Sequence, residues 1–126
     1  MALTYEEARR QAEASIDAFN RRDPDPIVDM LHEAVTHRGP FVAHHLGHER
    51  GPIEGKDKQR EFLLWLWAKE PTLRHVLEEV FVGSEGYAAL THSEHDGTRY
   101  VFVSQVGADG RVRSLQVYHG SPPHEH

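Results

Sequence analysis

The sequence predicts an α+β fold in which N-terminal helices pack against a strongly curved, mainly antiparallel sheet. Three observations predict it. Up to Pro71 the apolar residues recur mostly at the three-to-four spacing of helices. Beyond Pro71 come four runs rich in Val, Leu, Phe and Tyr, the composition of strands. Between those runs stand Ser84-Glu85-Gly86, His95-Asp96-Gly97 and Ala108-Asp109-Gly110, and Asp-Gly between apolar runs is a strong hairpin signal. Hairpins make sequential strands antiparallel neighbours, and such a sheet covers its apolar face by curling round the helices.

Tyr5, Ala8, Ala12, Ile16 and Phe19 form one apolar stripe, with Thr4 as N-cap and Glu6 and Glu7 in the first turn, where carboxylates favour a helix. That helix should stop near Arg21-Arg22, before Asp23-Pro24-Asp25-Pro26. Asp25 can cap a second, short helix with Pro26 at its first position, carrying Ile27, Val28, Met30 and Leu31. Ala34 to His37 reads as a short extended segment. Residues 39–55 hold four glycines, two prolines and three histidines, so they form either a functional loop or a small hairpin. Lys56 to Lys69 is the third helix, and its centre, Phe62 to Ala68, is apolar all round, so it is buried on more than one side. The strands are expected at about Leu73–Val82, Tyr87–His95, Arg99–Val106 and Val112–His119. Residues 1–120 thus read as one domain and 121–126, with Pro122-Pro123 ending the last strand, as a disordered tail.

Composition removes several functions. At 126 residues the chain can bury one real core. With no cysteine it has no disulfide, thiolate metal site or cysteine nucleophile. A formal charge of −6 argues against nucleic acid and anionic membrane as partners. No apolar run approaches the roughly 20 residues that span a bilayer, and no signal-peptide core stands near Met1, so a cytoplasmic protein is expected. No phosphate loop, nucleophile elbow or dinucleotide fingerprint occurs. Eleven histidines remain to be explained.

Four stretches carry a resemblance: Ala18-Phe19-Asn20-Arg21-Arg22-Asp23; Ile53-Glu54-Gly55-Lys56-Asp57; Glu70-Pro71-Thr72-Leu73-Arg74; and Asp109-Gly110-Arg111-Val112 leading to Val117-Tyr118-His119-Gly120. In this order they resemble the SnoaL-like branch of the nuclear transport factor 2-like superfamily, which is also similar to ketosteroid isomerase and limonene epoxide hydrolase. The resemblance implies a cone-shaped roll with a deep pocket at its wide end, and a homodimer paired through the exposed face of the sheet. It does not choose among isomerase, dehydratase, polyketide cyclase-like, hydrolase and pure binding roles. Two carboxylates common in that superfamily are absent. Gly120 stands where cyclases place an Asp after an aromatic pair. Thr36-His37-Arg38-Gly39-Pro40 stands where isomerases place an Asp before a Pro.

Strand alternation names the replacements. His37 points to the same side as the missing Asp, and Gln116 and Tyr118 share a side with Gly120, so all three are expected to line the pocket. A histidine suits a base at neutral pH, while Tyr118 could donate to an enolate oxygen and Gln116 orient the substrate. Trp65 and Phe102 are expected as an apolar wall, with one tryptophan in the core and one at a pocket wall or subunit interface. His92 and Glu94 share one side of the second long strand and either meet the substrate or lie on the solvated outer face. One of Glu78 and Glu79 should point inward, where burial would raise its pKa. His44 and His48 are four apart, but Gly47, Gly51 and Pro52 make a helix doubtful there, and this stretch reads as a lid over the pocket mouth rather than a metal site.

The expected function is therefore a cofactor-independent, metal-free enzyme that acts by proton transfer on a small apolar or aromatic carbonyl compound, as an isomerase, dehydratase or aldol-type cyclase. The alternatives are a non-catalytic ligand-binding or dimerisation module, and an epoxide or lactone hydrolase built on Glu78 or Glu79, Glu94 and the histidines.

Overall fold

The computed structural model describes residues 3–46 and 51–120, so the tail expected at 121–126 and its His124 and His126 lie outside the described residues, as do Gly47, His48, Glu49 and Arg50. Helix α1 (Tyr5–Asn20) begins with a complete capping box. The Thr4 hydroxyl accepts from Glu7 N at 3.1 Å, and the Glu7 carboxylate accepts from Thr4 N at 2.9 Å, so two otherwise orphan donors are satisfied at once. Its buried face is Ala8, Ala12 and Ala18, side chains small enough to let the helix lie close on the sheet.

The C-terminal end of α1 anchors the start of the sheet. Arg22 takes a left-handed conformation, φ 63°, and its guanidinium donates to Leu73 O at 2.7 Å and Pro71 O at 2.8 Å. The Asn20 amide donates to His75 O and accepts from His75 N, both at 2.9 Å, pairing with the backbone as a neighbouring strand would. The loop before the sheet is thereby stapled to the helix terminus, with His75 at the joint.

Helix α2 (Pro24–Asp29) starts one Asp-Pro step earlier than expected. Asp23, not Asp25, is the cap, its carboxylate accepting from Asp25 N at 3.1 Å, and Pro24 takes the position where a missing N–H costs nothing. The helix also ends before Leu31, which opens strand β1 (Leu31–Arg38). That strand is longer than the short segment expected because it has a neighbour on each side: β2 (Ile53–Glu54) runs antiparallel to it and the last strand runs parallel. Residues 39–55 are correspondingly less irregular than they read. They hold the short helix α3 (Pro40–His45) and β2.

Helix α4 (Lys56–Lys69) has the predicted bounds. It starts after Gly55, whose φ of 89° is the left-handed region that favours glycine, and whose N–H donates to Val35 O at 2.8 Å. Gln59, Phe62, Leu63 and Leu66, at i, i+3, i+4 and i+7, form its inward stripe, and Trp67 is buried beside them against Phe19 and Val28.

Strands β3 (His75–Gly83), β4 (Gly86–Ser93), β5 (Arg99–Val106) and β6 (Val112–His119) complete a curved, unclosed six-stranded sheet in the order β2-β1-β6-β5-β4-β3. The pairings Thr91↔Tyr100, Ala89↔Phe102, Phe102↔Val117 and Ser104↔Leu115 set the inner face. The register of β3 against β4 shifts between Leu77 and Glu79, as a β-bulge does, and this reverses the facing of the residues before it. Among the described residues no helix is long and apolar enough to cross a membrane.

Candidate functional site

Between α1, α2, α4 and the inner face of the sheet lies a cavity of about 120 Å³. Its wall is mostly apolar, with Phe19, Phe62, Leu66, Phe102 and Leu115 prominent. The polar residues reaching it are His37, Gln59, His75, Tyr87, Ser15 and Ser104, and among the described residues its lining holds no Asp, Glu, Lys or Arg.

His37 is 6% exposed. Its Nδ1–H donates to Gln59 Oε1 at 2.8 Å, and its ring meets the edge of Phe62 with centroids 5.2 Å apart. An amide oxygen can only accept, so the proton sits on Nδ1 and Nε2 carries the lone pair. Burial pushes the imidazole down from the usual 6.5 to about 4, the Gln59 hydrogen bond opposing this in part. At neutral pH His37 is therefore an uncharged acceptor.

His75 is the second buried imidazole, also 6% exposed. It is enclosed by Phe19, Tyr100 and Phe102, with ring centroids 5.0 to 5.2 Å away, and its Nδ1 lies 3.0 Å from Thr91 Oγ1. Burial first, then the charges of Arg22 and His92, push it down to about 4. Tyr87 donates to Gln11 Oε1 at 2.6 Å, and burial raises its phenol to about 12, so it stays protonated.

The expected site residues divide. His37 and Phe102 line the cavity together. Tyr118 and Gln116 do not: Tyr118 is 53% exposed and Gln116 is exposed too. The register explains the correction. Val117 pairs with the inward Phe102, so Gln116 and Tyr118, opposite Val103 and Val101, point out of the sheet, as does the side of Gly120. His92 lies on the outer face, its Nδ1 3.0 Å from Glu78 Oε2, and Glu94 is exposed past the end of β4. Trp65 leaves the cavity wall because it stands off the inward stripe of α4. It packs instead on α3, 4.7 Å from the His45 ring and 5.6 Å from that of His44.

Neither Glu78 nor Glu79 enters the cavity. Glu78 faces His92 and Arg99, while the bulge leaves Glu79 at the rim, accepting from Tyr5 Oη at 2.8 Å. The carboxylates needed for a hydrolase are thus all outside. Of the His44–His48 pair, His48 lies outside the described residues, and among the described residues no three His, Asp or Glu side chains gather as a metal site would require.

Two residues of the site escaped the sequence reading. Gln59 carries a signal that could have found it, a polar residue on the buried stripe of a helix, where burial demands a partner. His75 carries none by alternation. It lies five residues from the inward Val80, an odd number, and points inward only because the bulge resets the period.

This sheet wrapped over three helices around a mostly apolar cavity defines a small α+β pocket protein. The chain belongs to the SnoaL-like domain family, whose model matches residues 12–119. Among solved structures it is similar to a SnoaL-like protein of unknown function from Burkholderia thailandensis E264, at 20% identity and TM-score 0.87, covering 96% of this chain and 100% of that one. It is also similar to a nuclear transport factor 2-like protein of unknown function from Burkholderia pseudomallei K96243, at 20% identity, TM-score 0.69 and 90% of each chain. TerC, co-crystallised with polyporic acid, is similar at 18% identity and TM-score 0.68, over 90% of this chain and 91% of that one. A comparison with curated proteins gives no match.

Proposed function

We propose that this protein is a cofactor-independent enzyme that moves a proton on a small, largely apolar carbonyl compound, in the manner of an isomerase, dehydratase or aldol-type cyclase, with His37 as the base. The observation that carries this reading is the Gln59 hydrogen bond, which commits the Nδ1 proton and leaves Nε2 as the basic atom of a cavity-lining residue. No partner meets that Nε2 among the described residues. Nε2 would take a proton from carbon beside the carbonyl, the C–H electron pair passing to the carbonyl oxygen to form an enolate. The proton would then return from Nε2 to carbon.

A proton affinity of about 4 suits the role. It is close to that of the carboxylate base in ketosteroid isomerase, about 4.6. His37 thus offers similar basicity at the place where the sequence lacks an Asp, without placing a charge in an apolar cavity. Size supports a single-ring substrate, since an apolar cavity of about 150 Å³ holds benzene.

Cyclopentanone in D2O tests the proposal, with deuterium incorporation beside the carbonyl monitored by proton NMR. The protein is expected to accelerate exchange over buffer, and His37→Ala to lose about a hundredfold of that acceleration, the low end for a general base. Identical exchange rates for the wild type and the variant would sink the assignment of His37. A cavity with no carboxylate among its described residues favours one rival, a ligand-binding module. Cyclopentanone that shifts cavity resonances but never exchanges faster than in buffer would establish that rival instead.

The outer face of the sheet supports the homodimer of the same reading, because Val76, Phe81 and Tyr118 are exposed there. Sedimentation equilibrium at micromolar protein is expected to give a two-chain mass, and Tyr118→Glu a one-chain mass. A one-chain wild type would remove the dimer from the proposal.

A further inference from the structure

We infer that His75 is the electrophilic partner of His37, a neutral imidazole held by Thr91 with its proton on Nε2 so that it donates to the oxygen of the same ligand. This role rests on the proton-transfer reading of His37 and adds a second catalytic residue and a substrate class to it.

One buried hydroxyl decides the tautomer. Thr91 is 0% exposed, and among the described residues its Oγ1 has one hydrogen-bond partner, His75 Nδ1 at 3.0 Å. A hydroxyl hydrogen sealed from water needs an acceptor. If Nδ1 carried a proton, Thr91 would accept it and its own hydrogen would be stranded in the core. Thr91 therefore donates to Nδ1, and the neutral ring keeps its single proton on Nε2. The ring cannot easily rotate away, because Phe19, Tyr100 and Phe102 enclose it and Asn20 clamps its backbone on both sides. No protein group among the described residues accepts from Nε2, and His75 lines the cavity.

The two imidazoles are thus set in opposite tautomers by two different buried partners. Gln59 Oε1 takes the Nδ1 proton of His37 and makes its Nε2 an acceptor. Thr91 fills Nδ1 of His75 and makes its Nε2 a donor. Burial keeps both uncharged at neutral pH. One apolar cavity then contains a base and a hydrogen-bond donor, which is what enolisation needs: as the carbon proton moves to His37, the electron pair collects on an oxygen that His75 stabilises without giving up its proton.

The pairing also selects the ligand. A suitable compound is neutral and compact, with an acceptor oxygen next to an acidic C–H or O–H, as in an enolisable cyclic ketone or, for binding alone, a phenol. Carboxylates and amines are disfavoured, because among the described residues no charged group lines the cavity to offset their desolvation.

Nitrogen-15 NMR of histidine-labelled full-length protein at pH 7 tests this without any variant. His75 is expected to show a protonated Nε2 and His37 a protonated Nδ1, and saturating phenol to shift the Nε2–H proton of His75 downfield. A proton on Nδ1 of His75 in the free protein would overturn the inference and leave His37 as a base untouched. A correct pair of tautomers with no ketone exchange would instead overturn the proton-transfer reading and the catalytic role of His75 that rests on it, leaving His75 only as a hydrogen-bond donor to a bound ligand. Thr91→Val, which keeps the shape and removes the hydroxyl, is expected to give a mixed His75 tautomer and to lower kcat for cyclopentanone exchange about tenfold with KM nearly unchanged. Thr91→Ser should restore both. A valine variant with an unchanged His75 tautomer would show that Thr91 does not position the ring.

Discussion

Lowering the pH from 7 to 4.5 is expected to remove about 5 kcal/mol of folding stability. Burial depresses both His37 and His75 to about 4 from the usual 6.5. Below pH 6.5 the unfolded chain takes up protons that the folded protein refuses until about pH 4, so stability is fully present above 6.5 and falls as the pH drops through that window. At about 1.4 kcal/mol per pH unit for each imidazole, two units below 6.5 account for the loss, a large part of a typical folding free energy of about 5–15 kcal/mol. The groups facing each ring set the sign. His37 meets Gln59 and Phe62, neither charged, and His75 feels Arg22 from the end of α1 and His92 from β4, both of which disfavour its protonation. Glu7, Glu79, Asp96 and Asp109 are held below the usual carboxylate range, chiefly by backbone hydrogen bonds, and their contribution is lost in the same direction at still lower pH. Guanidinium unfolding at pH 7.0 and 4.5 measures the effect. His37→Gln and His75→Gln should each remove about half of the pH dependence. A wild-type stability that differs by less than about 1 kcal/mol between the two pH values would show that the imidazoles are not buried as described.

Gly86→Ala is expected to cost about 3 kcal/mol, the upper range for forcing extra volume into a packed interior. A Cβ at this position would lie 1.9 Å from Ser104 O and 2.9 Å from Ser104 C, both backbone atoms of the paired strand. Flexible side chains could yield, but here β5 would have to move by about an ångström where Ser104 reaches the cavity and Tyr87 comes next in β4. The expected readout is a fall in Tm of about 10 °C by circular dichroism. A Tm within about 2 °C of the wild type would mean that the hairpin can slide without cost. Gly110 offers the contrast, since nothing lies within 4 Å of a Cβ built there, although its φ of 79° still favours glycine.

Much of the fold was legible because its signals are local. Thr4 caps α1 in the expected way, Gly55 and Lys69 bracket α4, and the three turn sequences separate the last four strands as read. Each depends on a few neighbouring residues: a side-chain acceptor for an orphan N–H, or a residue suited to a tight turn. The double Asp-Pro misled for the same reason, since both copies carry the same local chemistry and only the strand that starts at Leu31 decides between them. The site was less legible. His37 could be placed by its strand, but Tyr118, Gln116, His92 and Trp65 were assigned faces from alternation and helix composition, which lack an absolute phase. The phase comes from pairings such as Phe102↔Val117 across strands, and these bring together residues far apart in the chain.

By itself, the amino-acid sequence determined the order and ends of most helices and strands, the antiparallel succession of the last four, and the presence of a histidine in place of an expected carboxylate. Those features rest on caps, turns and periodicity within about ten residues of each other. Only the tertiary structure decided which histidines share the cavity. A bulge in β3 turns His75 inward, the Asn20 clamp holds it there, and the register of β6 turns Tyr118 away. A one-residue change of register reverses every side chain of a strand, so the chemistry of the site is set by long-range pairing that no local pattern contains.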